Sequence, residues 1–182
     1  MKFKLINTKL VFSHPRMTLL EDTIELPNSR ITTYLYSKYT GNAATIICKN
    51  SSGKILVQKE FNYPSKKYLI QFPGGSVPLK EKIRMGAMRE LMEEAGLKAL
   101  NIKQIGKYYL DNRRSKAMIY VFLATKIENQ KAIGDELEEL KTMWLSENEI
   151  NRMIQTGKIQ NPHFLAAWSI YSVSLRKSHF VI

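Results

Sequence analysis

Three glutamates in one short segment are the residues of this chain best suited to carry chemistry. Glu90, Glu93 and Glu94 lie in RELMEEAGL, where apolar residues recur with the period of an α-helix. At about 100° per residue, the three carboxylates fall within about a third of the helix circumference, beside a broader apolar face. Like charges one turn apart repel each other, and the negative end of the helix dipole is close by. A bound divalent cation would explain this arrangement, and carboxylates without His or Cys favour Mg²⁺ or Mn²⁺.

The residues around the three glutamates support the same interpretation. Gly74 and Gly75 precede the helix and allow a sharp turn, so a backbone carbonyl there could reach a cation. Arg89 lies one helical turn before Glu93 and could hold a carboxylate in a fixed rotamer. The alternative is an ordinary amphipathic helix whose acidic face is solvated.

The full spacing of this segment resembles the signature of the Nudix hydrolases. Its defining positions are Gly75, Glu81, residues 89–91 (Arg-Glu-Leu), residues 93–94 (Glu-Glu) and residues 96–97 (Gly-Leu). The resemblance implies an α/β/α sandwich with a mixed sheet, in the α+β class. It also implies metal-assisted attack of water on a nucleoside diphosphate that is linked to a second group.

The same resemblance implies a role for each of these residues. The implied metal ligands are the carbonyl of Gly74 and the side chains of Glu90, Glu93 and Glu94. Glu81 is implied to be an outer metal contact, and Arg89 is implied to orient the glutamates. Gly75 and Gly96 are implied to be structural.

The flanking sequence is similar to the ADP-ribose pyrophosphatase branch of that family. The similar segments are VQKEFNYP and YLIQFPGG before the signature, and a late acidic loop followed by a strand and a helix. This similarity implies a nucleotide sugar as substrate, most simply ADP-ribose, which would give AMP and ribose 5-phosphate. The chain departs from the branch where Glu60 and Asn62 replace the usual Gln and Arg, and where Gln71 replaces the usual Glu.

Aromatic and basic residues outside the signature are further candidates for substrate binding. Tyr34, Tyr36 and Phe61 could stack on a nucleobase, and packing within a β-sheet is their simpler alternative role. Arg113 and Arg114 could contact phosphate in place of the arginine that is missing at position 62.

A second acidic cluster, residues 135–139, is the candidate source of a general base. Attack by water requires a group that accepts its proton within hydrogen-bond reach. In the similar branch this base comes from a loop before a late strand, which Glu138 matches best and Glu136 second. If that loop is only a solvated turn, a helix glutamate such as Glu93 is the alternative base.

Length and composition exclude several classes of protein. A chain of 182 residues with a hydrophobic fraction of 44% is long and apolar enough to form a core. No apolar run approaches the roughly 20 residues needed to cross a bilayer, so no membrane segment is expected. The N-terminal segment does not have the pattern of a secretory signal peptide. Cys48 is the only cysteine, which predicts a reduced, cytoplasmic setting without disulfides.

Two parts are predicted along the chain. Residues 1–42 have strand patterns but are too few for a core of their own. We therefore expect a small antiparallel β unit that packs across the interface of a homodimer. Residues 43–182 are predicted to form the Nudix domain. Within it, strands at 44–48 and 55–59 are predicted to form a hairpin, followed by a helix over 80–95.

Other functions remain open at this stage. The formal net charge of +12 favours a polyanionic partner, including nucleic acid, although it does not choose among polyanions. The alternatives within the enzyme class are hydrolysis of a GDP-sugar, a dinucleoside polyphosphate or an RNA cap. A non-catalytic nucleotide-binding or RNA-binding module is the alternative from another class, and the acidic helix face argues against it.

Overall fold

The computed structural model describes residues 3–130 and 141–177, which divide into two compact units. The smaller unit comprises the described residues of Met1–Thr40 together with Tyr109–Ala117, and the larger unit comprises Gly41–Tyr108 and the described residues of Met118–Ile182. The strands and helices are, in chain order, β1 (Lys4–His14), β2 (Met17–Glu25), β3 (Ile31–Ser37), β4 (Gly41–Cys48), β5 (Ile55–Asn62), β6 (Lys67–Gln71), β7 (Gly74–Pro78), α1 (Ile83–Ala95), β8 (Leu97–Tyr109), β9 (Met118–Asn129), β10 (Lys141–Leu145), α2 (Glu147–Gln155) and α3 (Pro162–Lys177).

The smaller unit is a three-stranded antiparallel sheet in the order β1-β2-β3. Its three strands lie within residues 1–42, where the sequence predicts a small antiparallel β unit. The unit also includes the segment Tyr109–Ala117, which the sequence did not place with the N-terminal residues. The Ser37 N–H donates to the carbonyl of Arg114 at 2.7 Å, so this segment extends the hydrogen bonding of β3.

The larger unit is built on two sheets. One is a mixed four-stranded sheet in the order β7-β4-β9-β8, in which β4 runs parallel to β9 and antiparallel to β7. The other is an antiparallel sheet in the order β10-β5-β6. One apolar core includes the buried face of α1, and a second includes α2 and α3. The α+β class and the mixed sheet are therefore confirmed.

The connection between β4 and β5 differs from the prediction. Residues 49–53 were expected to join a hairpin, but the two strands lie in different sheets and share only an isolated bridge from Lys49 to Ile55. The reason is that both strands are apolar on both faces: Ile46 and Leu56 enter one core, while Ile47 and Ile55 enter the other. Local turn residues indicate where the chain reverses, but burial on two faces decides which strand becomes the neighbour.

The helix α1 begins at Ile83, three residues later than predicted. Residues 78–81 instead form a turn, in which the Glu81 N–H donates to the Pro78 carbonyl at 3.0 Å. The short strand β7, which precedes this turn, was not predicted, because its glycines hide a strand pattern. Within the described residues, no helix is long and apolar enough to cross a membrane.

Candidate active site

The helix α1 carries the predicted acidic residues and is fixed by its apolar side. Gly86, Ala87 and Leu91 are buried in the core that this helix shares with β4 and β7. Gly96 ends the helix in the left-handed conformation, with φ at 61°, and its N–H donates to the carbonyls of Leu91 and Met92. The carboxylates therefore project from a helix whose position and end are both set by packing.

Arg89 connects three of the acidic side chains. It forms two parallel hydrogen bonds to the Glu81 carboxylate, of 3.1 and 2.9 Å, from Nε and Nη2. Its Nη1 donates to Glu90 at 2.8 Å and to Glu93 at 2.9 Å. Nη2 also donates to the carbonyl of Ser76 at 3.1 Å, which ties the cluster to β7. Glu90 and Glu93 thus share one guanidinium nitrogen of Arg89.

The electrostatics of this cluster follow from the same contacts. Hydrogen bonds from Arg89 lower the pKa of Glu81 below its ordinary value. The bonds to Glu81, and then those to Glu90 and Glu93, raise the pKa of Arg89, so this side chain stays charged. Burial raises the pKa of Glu90 despite its bond to Arg89. A carboxylate held in a desolvated place is one that a further positive charge would stabilise.

The two glycines before the helix bring the backbone against the glutamates. The Gly74 N–H donates to Oε2 of Glu94 at 3.0 Å, and φ of Gly74 is 151°, which disfavours other residues. A Cβ at Gly75 would lie 2.6 Å from Oε2 of Glu90, so a side chain there would displace this carboxylate. Gly75 is therefore required for close approach between β7 and α1, and Gly74 is required by its positive φ and by close approach to Ala44 of β4.

The chemistry of these groups fits a hard divalent cation. All the candidate donors are oxygens: the carboxylates of Glu90, Glu93 and Glu94, and the carbonyl of Gly74. In the described part of the chain, no three His, Cys, Asp or Glu side chains already stand as a metal-binding group. Arg89 instead holds Glu90 and Glu93, so binding of a cation would require these carboxylates to turn toward it.

Polar residues of β5 and β6 form a second group, in which the sequence had marked Glu60 and Gln71 as departures from the similar branch but had not marked Gln58. Gln58 is fully buried in β5, and its Nε2 donates to the backbone carbonyl of Glu94 at 3.5 Å. The amide of Gln71 donates to the carboxylate of Glu60 across the two strands. In the similar branch the residue on β5 is usually Gln and the residue on β6 is usually Glu. This chain has the reverse, so it keeps one carboxylate and one amide but places the carboxylate on β5. The sequence could have pointed to Gln58, because a glutamine that directly follows the apolar residues Ile55–Val57 in a buried strand is unusual.

The candidate substrate-binding residues separate into two places. Tyr34, Tyr36, Arg113 and Arg114 line one cavity of about 580 Å³ in the smaller unit, together with Lys38 and Lys116. The Tyr34 hydroxyl donates to the carbonyl of Arg113. Phe61 does not line this cavity: it lies near the end of the β5–β6 hairpin, edge-to-face against Tyr68 with ring centroids 5.4 Å apart.

A partly buried polar cluster in the larger unit was also missed by the sequence. Tyr171 donates to Glu147 at 2.7 Å, and Lys49 donates to the same carboxylate oxygen at 3.0 Å and to the Tyr171 hydroxyl at 3.2 Å. Burial opposes ionisation of Glu147, but these hydrogen bonds outweigh it and lower its pKa. The three residues lie far apart in the sequence, so no local pattern connects them.

The candidate bases Glu138 and Glu136 lie in residues 131–140, outside the described residues, so their roles stay predictions.

Comparison with known proteins gives a family and a fold. A profile of the NUDIX domain matches residues 39–168. The chain is 24% identical to an ADP-ribose pyrophosphatase of Bacillus subtilis (strain 168), over 96% of this chain and 94% of that protein. It is 27% identical to a methanol dehydrogenase activator of Bacillus methanolicus, over 79% of this chain and 80% of that protein. The crystal structure of an ADP compounds hydrolase has the same fold, with a TM-score of 0.90 over 100% of this chain and 98% of that chain, at 18% identity.

Proposed function

Since this chain belongs to the Nudix family and is a pyrophosphohydrolase, we propose that it hydrolyses the diphosphate linkage of a nucleoside diphosphate sugar. ADP-ribose is the substrate that we expect, with AMP and ribose 5-phosphate as products. The observation that carries the proposal is the acidic cluster on α1, in which Arg89 holds Glu81, Glu90 and Glu93 while Gly74 binds Glu94. The similarity to the Bacillus subtilis ADP-ribose pyrophosphatase over nearly the whole chain supports the choice of substrate.

The metal-binding residues of this proposal are Gly74, Glu90, Glu93 and Glu94, with Glu81 as an outer contact. A Mg²⁺ or Mn²⁺ ion held by these residues would neutralise charge on the diphosphate and would stabilise the negative charge that develops on the leaving phosphate. Arg89 keeps the carboxylates at one place on the helix and limits their mutual repulsion before substrate binds. The desolvated position of Glu90 favours an added positive charge beside it.

A carboxylate outside the metal-binding group should accept the proton of the attacking water. Glu138 is the proposed base, Glu136 is the second choice, and Glu93 is the alternative if neither acts. The proton has to leave a weak nucleophile at neutral pH, so removing the base should lower kcat with little change in KM.

Recognition of the nucleotide is assigned to the cavity of the smaller unit. Tyr34 and Tyr36 offer aromatic faces for a base, and Arg113 and Arg114 offer guanidinium groups for phosphate. Neither arginine forms an ion pair with a described residue, so their charges are available to an anion. Arg113→Met and Arg114→Met should therefore raise KM more than they lower kcat. Arg16→Met, at an exposed arginine of the same unit that does not line the cavity, is the control.

A turnover panel tests the proposed reaction. The purified protein with Mg²⁺ is given ADP-ribose, GDP-mannose, diadenosine polyphosphates, NADH and capped RNA, and the products are identified by mass spectrometry. We expect ADP-ribose to have the highest kcat/KM, and labelled oxygen from water to appear in one of the two phosphate products. A higher kcat/KM for another compound would make that compound the substrate in place of ADP-ribose. Absence of turnover of every compound at saturating Mg²⁺ or Mn²⁺ would contradict the proposal.

A homodimer is proposed from the surface of the smaller unit. Its strand β1 is exposed along its whole length, with Leu5 57%, Leu10 58% and Phe12 49% exposed. A three-stranded sheet with so much apolar surface is stabilised when a second copy covers it. Sedimentation velocity should show a dimer at micromolar concentration. Leu10→Glu should shift it toward monomer, while Lys9→Glu on the same strand should not, and a monomeric unmodified chain would contradict the proposal.

A further inference from the structure

Gln58 is the one polar residue that is fully buried among the described residues, with 0% exposure. It lies in β5, the middle strand of its sheet, opposite Gln71 of β6 and Thr142 of β10. Neighbours on both sides exclude water from its side chain. A buried amide costs free energy unless both its donor and its acceptor are satisfied.

The donor of this amide is directed to the last turn of α1. Side chains alternate along a strand, so Gln58 faces the same side as Leu56, which packs in the core that contains α1. Its Nε2 donates to the carbonyl of Glu94, one of the carbonyls that a helix end leaves without an intrahelical partner. The opposite amide orientation would place Oε1 against this carbonyl oxygen, so the contact fixes which way the amide points.

The acceptor of the same amide, Oε1, has no hydrogen-bond donor among the described residues. Oε1 of Gln58 is buried, and no donor of the described residues lies within hydrogen-bond distance. Leucine or methionine would fill a similar volume without this cost, so packing alone does not favour a glutamine here. The feature that the glutamine adds is its hold on Glu94, whose carboxylate accepts the Gly74 N–H.

We propose that Gln58 is a positioning residue for the metal-binding turn of α1, and that it acts through the hydrogen bond from its Nε2 to the Glu94 carbonyl. The inference rests on the proposed function, because it takes Glu93 and Glu94 as metal ligands. Gln58 holds the backbone of this turn against β5 while Gly74 holds the Glu94 carboxylate, so this one carboxylate stays in place without a cation. A residue supporting metal ligands in this way typically contributes a factor of about 10 to 100 in metal affinity.

Gln58→Leu and Gln58→Met separate this role from a structural one. In the metal-free protein both variants should unfold at the same temperature as the unmodified chain or at a higher one, because the buried acceptor is removed. Their Mn²⁺ affinity, measured by electron paramagnetic resonance of free Mn²⁺, should fall by about 10- to 100-fold. The amide resonance of Gly74 in the metal-free protein should shift, since its acceptor on Glu94 moves. Gln104→Leu, at an exposed glutamine of β8, should change none of these.

The outcomes distinguish this inference from the proposed function. A lower unfolding temperature with unchanged Mn²⁺ affinity would make Gln58 a structural residue and overturn the inference, and so would variants equal to the unmodified chain in every measurement. If the unmodified chain hydrolyses none of the panel compounds while both variants lose Mn²⁺ affinity and shift the Gly74 resonance, the proposed function fails and the positioning role is supported. Full turnover with an unchanged Gly74 resonance in both variants leaves the function intact and overturns the inference.

Discussion

Replacing Arg89 with methionine removes the group that holds the acidic cluster together, and its effect can be worked out from the contacts. The guanidinium donates five hydrogen bonds, four to carboxylates and one to the Ser76 carbonyl. Its side chain is 36% exposed, while those of Glu81 and Glu90 are 25% and 12% exposed. Exposed ion pairs contribute about 0.2–1 kcal/mol and hydrogen bonds to buried charges about 1.5–3 kcal/mol. Arg89 forms three ion pairs of intermediate exposure, so we expect its removal to lower the free energy of unfolding by about 2–4 kcal/mol.

Thermal unfolding of the metal-free protein measures this loss. For a chain of this size, each kcal/mol corresponds to roughly 2–4 °C, so Arg89→Met should lower Tm by about 4–16 °C. Saturating Mg²⁺ or Mn²⁺ should reduce the difference in Tm between the variant and the unmodified chain, because the bound cation then offsets the repulsion among the carboxylates. Arg84→Met is the matched control, since Arg84 is exposed on the same helix without an ion pair to any described residue. A Tm equal to that of the unmodified chain, or a gap that the cation leaves unchanged, would refute the reasoning.

The remaining predictions concern a metal ligand, the base and the buried polar cluster. Glu94→Gln should lose most turnover while its metal-free free energy of unfolding changes by no more than about 1 kcal/mol, because relief of repulsion offsets a weaker bond from Gly74; near-normal kcat at saturating Mg²⁺ would contradict the metal assignment. Glu138→Gln should lower kcat by roughly 10²- to 10⁴-fold with little change in KM, and Glu136→Gln should do less; equal, small effects would transfer the role to Glu93. Tyr171→Phe should destabilise the chain by about 1–2 kcal/mol at pH 7 and by less at pH 3. The pKa of Glu147 is lower in the folded chain than its ordinary value of 4.5, so the ionised carboxylate stabilises the fold when the pH is above 4.5. This stabilisation is lost as the pH falls through the lower folded-state pKa. Urea unfolding at the two pH values tests this, and an equal difference at both would count against it.

The acidic helix could be predicted from the sequence because everything that defines it is local. The period of α1 places Glu90, Glu93 and Glu94 beside one another whatever the rest of the chain does. Arg89 lies one turn from Glu93, so their contact follows from the same geometry. The spacing from Gly75 to residues 96–97 is similarly a property of one continuous segment, which is why the family resemblance could be recognised without a structure.

The segment that accompanies the smaller unit could not be predicted in this way. Tyr109–Ala117 is separated from β3 by more than seventy residues, and its pairing with Ser37 depends on where β8 and β9 end. Tyr34 and Arg113 therefore share a cavity for a reason that no local pattern contains. Such contacts are decided by the whole topology, because the chain between the two segments can fold in many ways that satisfy its own periodicity.

The sequence by itself determined the type of chemistry, whereas the tertiary structure decided how the chemical groups are supported. The sequence contains the carboxylates and glycines of the segment that we propose to bind metal. Only packing brings Gln58 beneath Glu94 and the amide of Gln71 against Glu60, and only packing divides β4 and β5 between two sheets. The physical reason is that a helix forms its pattern by hydrogen bonds within one segment, while strands satisfy their backbone groups with partners that are distant in the chain.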